Sequence, residues 1–119
     1  MNTREPGTVP RGYRFADHVP YETPDDLAEL QGPTSGIVRV RPHIDTSQDP
    51  TYDLDDHGDV VALYAAVVRA GSADDQRRLL NRATLEQVWP VLVLPRRCRE
   101  VWSTRFPSLG ELGVQALSL

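Results

Sequence analysis

Asp53, Asp55, Asp56, His57 and Asp59 crowd into the stretch YDLDDHGD, and a D-x-D-x-x-x-D spacing is one that a cation-binding loop can use. The glutamate that closes an EF-hand at its twelfth position is missing. Leu63 and Tyr64 occupy that downstream region. Carboxylates just ahead of an apolar helix have a commoner use, capping its free N–H groups and offsetting its positive end. Those left over form an acidic patch suited to a basic partner surface. His18, His43 and His57 are scattered and suggest neither a metal triad nor a catalytic base. Cys98 is the only cysteine, so it forms no intramolecular disulfide and no cysteine-based zinc site. Its neighbours Arg97 and Arg99 are of the kind that activate a thiol. However, no Cys-His-Asn order accompanies it, and it falls on an apolar helix face. We therefore expect a structural cysteine, no catalytic residues, no cofactor, no metal and no enzymatic activity.

Arginine is the other chemistry-bearing residue. All 13 basic side chains are arginine, a coding bias or a choice of fork-shaped donors for carboxylate and phosphate. Arg96, Arg97, Arg99 and Arg105 fall on one predicted helix and its end, with Arg77, Arg78 and Arg82 as additions to the patch. Arg39 and Arg41 lie on a predicted strand. A groove-reading helix would look similar. Yet the two elements around Val91–Leu94 lack the tight glycine-containing turn of a helix-turn-helix. Arginine beside tryptophan is also a favoured pairing at protein interfaces.

The elements that must carry these groups are short. Residues 1–20 show no periodicity and are expected to be a flexible arm. Thr23-Pro24-Asp25-Asp26 predicts a helix of about two turns that ends at Gly32-Pro33. GIVRVR (36–41) alternates, Ile37, Arg39 and Arg41 against Val38 and Val40, and predicts one strand. Its mate is open: a strand of this chain, a second copy, a partner's sheet edge, or none, as an extended arm. Val60, Leu63, Tyr64, Val67 and Val68 repeat at helical spacing up to Gly71. Ser72 and Asp75 form a capping-box-like start to the next helix. Thr84 opens a short helix that ends near Trp89 because Pro90 follows. Pro95 serves as the first residue of a helix whose stripe is Cys98, Val101 and Trp102. Trp89, Trp102 and Phe106 are the largest core candidates.

The organisation is then an arm (1–20), a segment with helix, strand and loop (21–50), a helical core (51–108) and a C-terminal tail (109–119). This is a small, mostly α domain of four to five short helices with one N-terminal strand or extended arm. Residues 1–60 hold five arginines and 12 acids, and residues 61–119 hold eight arginines and five acids, so halves of −7 and +3 make the net −4. That balance disfavours indiscriminate nucleic-acid binding. No stretch reads as a signal peptide or a membrane span, and a cytoplasmic location is expected.

The pattern YDLDD…LYAAVVRAGSADDQRRLLNRATLEQVWPVLVLPRRCREVWSTRFP resembles a group of small actinobacterial proteins. They share a Y-D-L-D beginning, an L-W-P-x-L-x-L-P-R-x-V-R-x-x-W core and a closing F-P. The likeness spans roughly residues 34–107, with Val88 in place of Leu and Cys98 in place of Val. Trp89, Pro90, Leu94, Arg96, Arg97, Arg99 and Trp102 match the core. The resemblance implies the antitoxin or accessory half of a pair with an abortive-infection-type nucleotidyltransferase toxin. It offers no catalytic residue to carry over.

Residues and resemblance together predict a protein-binding module, an antitoxin-like neutraliser acting by occlusion. Arg96, Arg97, Arg99, Arg105, Asp53, Asp55, Asp56, Arg39 and Arg41 are its candidate partner-binding residues. The competing reading is a small DNA-binding regulator that uses the arginine-rich helix 95–105.

Overall fold

The computed structural model describes residues 21–117; the expected N-terminal arm lies outside them. In chain order the described elements are a 3-10 turn at Leu27–Glu29, β1 (Ile37–Arg39), β2 (Thr51–Asp53), α1 (His57–Ala70), α2 (Ala73–Leu79), α3 (Arg82–Val88), a second 3-10 turn at Trp89–Val91, α4 (Arg96–Arg105) and α5 (Pro107–Leu117). The protein is mostly helical, with one small two-stranded sheet.

Helix α1 forms where the apolar period demands it. The Asp56 carboxylate accepts from the N–H groups of Gly58 and Asp59 at its start, and Val60, Leu63, Tyr64, Val67 and Val68 are all buried. Gly71 ends it, folded tightly against the helix's own last turn: a Cβ there would stand 2.7 Å from the Val67 carbonyl oxygen. Ser72 and Asp75 then close the capping box of α2. Helix α3 starts two residues earlier than Thr84, because the Asn81 side chain takes the cap and accepts from the Thr84 N–H. Pro95 stays extended and stands just before α4 instead of inside it.

Two further expectations are corrected, and one question the sequence left open is answered. The helix predicted from Thr23 is a single 3-10 turn capped by Asp26, with Pro24 buried. Nearby backbone is recruited elsewhere: the Gly32 N–H donates to Leu80 O at 2.8 Å, and the Arg82 N–H to Leu30 O at 3.1 Å. This lacing brings Gly32 so near Leu79 that a Cβ would sit 2.6 Å from its carbonyl carbon. Secondly, the strand 37–39 has a mate in the same chain, pairing antiparallel with β2 in the register Ile37↔Asp53, Val38↔Tyr52, Arg39↔Thr51. Its alternation is as expected, with Val40 buried and Ile37 and Arg39 exposed. Thirdly, the buried core is not confined to residues 51–108, and the chain continues past 108 as helix α5. Leu27, Leu30, Val40 and Ile44 share one buried cluster with α1–α4, and Leu109 of α5 is fully buried in it.

The aromatic centre of that cluster is Trp89, Trp102 and Phe106. The tryptophan rings lie 6.3 Å apart and Phe106 lies 5.7 Å from Trp102, tilted contacts that aromatic quadrupoles favour. All three are buried. They fix where α4 sits, and hence which of its arginines face outward.

Candidate partner-binding face

Helix α4 turns Cys98 and Trp102 inward, both fully buried. Burial pushes the Cys98 thiol up to about 11, with Arg69 and Arg99 acting weakly against it. The thiol points at the Val68 carbonyl at 3.8 Å. A protonated, enclosed sulfur is a core atom and a poor nucleophile.

The four α4 arginines divide. Arg99 belongs to the fold: its guanidinium lies 4.7 Å from the centre of the Trp89 ring and donates to the carbonyls of Trp89 and Leu92. It thereby satisfies carbonyls of the turn between α3 and α4. Arg96 is outside, paired with Glu100 at 3.1 Å one turn on. Arg97 is exposed and has no ion-pair partner among the described residues. Arg97, Val101, Thr104 and Arg105 line a shallow concavity along the outer face. Arg105 touches Asp25 at 3.5 Å, with both side chains largely in water.

The arginines of α2 and α3 are engaged internally. Arg77 pairs with Glu29 at 2.7 Å, Arg78 with Asp74 and Asp75, and Arg82 with Glu86. Around α4 the exposed surface also carries two large apolar side chains, Val91 (55 % exposed) and Val93 (83 %). Neither was singled out by the sequence reading. The run Val91-Leu92-Val93-Leu94 is uniformly aliphatic, so the sequence carries no signal that marks which of its side chains face out.

The acidic cluster resolves into local structure. Asp56 is the cap of α1, Asp53 accepts from the Asp55 N–H at 2.9 Å, and Asp59 accepts from the Asp53 N–H at 2.9 Å. Asp55 is exposed. Among the described residues, no three His, Cys, Asp or Glu are placed to hold a metal ion. Arg39 reaches Asp49 at 3.9 Å across open surface, and Arg41 is exposed. No ion pair among the described residues joins these groups to α4, so the nine candidate residues do not form one contiguous charge network.

A second polar cluster is centred on Asp75, whose pairing with Ser72 the sequence predicted and whose contacts with His43 and Arg78 it did not. Its side chain is 1 % exposed and takes hydrogen bonds from the Ser72 N–H and hydroxyl, from Arg78 at 2.7 Å and from His43 Nε2 at 2.7 Å. Burial alone would raise its pKa. The Ser72 N–H, His43 and the Ser72 hydroxyl outweigh that and bring it down to about 2. Ser72 donates to Asp75 and not to His43, so the trio is a cap and a tether for the loop before β2, not a nucleophilic triad.

No protein-family model, curated protein or solved structure matches the chain.

Proposed function

We propose that this protein is a protein-binding module, and in its most concrete form an antitoxin-like neutraliser of a nucleotidyltransferase toxin that acts by occlusion. The observation that carries the first part is the outer side of α4 and the turn before it. There Val91 and Val93 stand in solvent on the segment that leads into α4, and Arg96, Arg97 and Arg105 are exposed along that helix, whose other side is locked into an aromatic core. Exposed aliphatic side chains and exposed arginines on one segment are what a protein interface uses. The second part rests on the resemblance of the W-P-x-L-x-L-P-R core. On this reading Asp53, Asp55 and Asp56 offer an acidic surface to the basic groove of such an enzyme. The outer edge of β1, which pairs with no other strand among the described residues, offers backbone for strand addition.

The test is co-expression with an abortive-infection-type nucleotidyltransferase from the source organism. A stable complex on size exclusion, with restored growth of cells making the enzyme, supports neutralisation. No complex, together with steeply salt-dependent binding of duplex DNA, would favour the regulator instead.

A further inference from the structure

Resting on the protein-binding reading, we infer that the Arg97–Val101–Arg105 stripe of α4 is a seat for an acidic amphipathic helix of the partner. Its pattern of carboxylate, aliphatic, carboxylate would fall at i, i+4 and i+8. The three α4 residues themselves stand at i, i+4 and i+8, so they form one ridge about 12 Å long on the outer face. Arg97 and Arg105 are exposed at its ends, while Val101 is half-buried between them with Thr104 alongside.

The charge at each end selects the occupant. Arg97 has no carboxylate within the described chain, although Arg77, Arg78, Arg82 and Arg96 each have one at 3.3 Å or closer. At the other end Asp25 already shows the ligand type: its carboxylate and its carbonyl both meet Arg105 Nη2, at 3.5 and 3.4 Å. These are loose, solvent-exposed contacts that an incoming carboxylate can displace. The centre of the seat is aliphatic, which suits Leu or Ile and gives nothing to a phosphate chain. The chain's net charge of −4 also opposes a polyanion away from this stripe. Arg99 of the same helix is turned inward onto Trp89 and is not part of the seat.

The experiment titrates isotopically labelled full-length protein with a capped, alanine-rich peptide of about 18 residues, long enough to be helical, carrying Glu, Leu and Glu at i, i+4 and i+8. Amide shifts over residues 97–105 are expected. Binding should weaken roughly three- to tenfold per charge reversal in Arg97→Glu and Arg105→Glu, the scale of exposed ion pairs lost and made repulsive. The double variant, if it keeps the native amide spectrum, should prefer a Lys-Leu-Lys version of the peptide. Shifts at Val91, Val93 or β1 in place of α4 would overturn the seat and leave the protein-binding reading standing. Tighter binding of a short single-stranded RNA to the same stripe would overturn both. Equal binding of a Gln-Leu-Gln peptide would also overturn the seat.

Discussion

Replacing Arg99 separates an arginine that builds the fold from those that face a partner. In Arg99→Ala two N–H donations to the carbonyls of Trp89 and Leu92 disappear, each worth about 1 kcal/mol net. The cation over the Trp89 ring goes too, adding about 0.5–1 kcal/mol at this half-buried site. The sum is about 2–3 kcal/mol, or a fall in melting temperature of roughly 8–12 °C for a domain of this size. Arg99→Lys keeps the charge, but a single ammonium cannot span both carbonyls and lie flat on the ring, so about half of the loss should remain. Arg97→Ala, on the exposed side of the same helix, should stay within about 0.5 kcal/mol of wild type. Urea unfolding followed by tryptophan fluorescence reads all three, since Trp89 lies under the guanidinium. Equal midpoints for Arg99→Ala and Arg97→Ala would refute the division of the α4 arginines.

Trp102→Ala should cost about 3–5 kcal/mol, because it empties the centre of the aromatic cluster, and should abolish cooperative unfolding in a domain this small; a wild-type melting curve would contradict the packing described. Asp75 binds a proton at about 2 when folded against 3.8 when unfolded, so its contribution of about 2 kcal/mol is complete above roughly pH 4 and lost as pH falls towards 2. Asp75→Asn should flatten the acid limb of the stability curve in that window while lowering stability at neutral pH; an unchanged limb would count against the buried carboxylate. Cys98, enclosed and shifted to about 11, should react with a thiol reagent at neutral pH only as fast as the protein opens. Prompt labelling of the native protein would mean that α4 does not cover it.

What was legible in the sequence was local. The α1 stripe, the Ser72–Asp75 box and the burial of Trp89, Trp102 and Phe106 each follow from residues within a turn or two of one another. What was missed depended on distant groups. Thr51–Asp53 read as an acidic lead-in to α1 because nothing nearby reveals that it returns to pair with Ile37–Arg39. His43 looked isolated because its carboxylate is 32 residues away. The role of Arg99 was partly readable: it precedes Trp102 by three residues and so flanks the buried stripe, whereas Arg97, five before, lies on the far side. Asn81 outcompeted Thr84 as a cap because the segment at Gln31 bridges to it and holds it extended.

The most direct measurement is the affinity for the co-expressed nucleotidyltransferase of a variant with Arg96→Gln and Arg97→Gln, Arg99 being kept. The account predicts an unchanged melting temperature and at least a tenfold weaker complex, the scale set by arginine anchors of about 2 kcal/mol at interfaces. A variant that binds as tightly as wild type would contradict it, and would move the interface from α4 to the acidic surface around Asp53, Asp55 and Asp56.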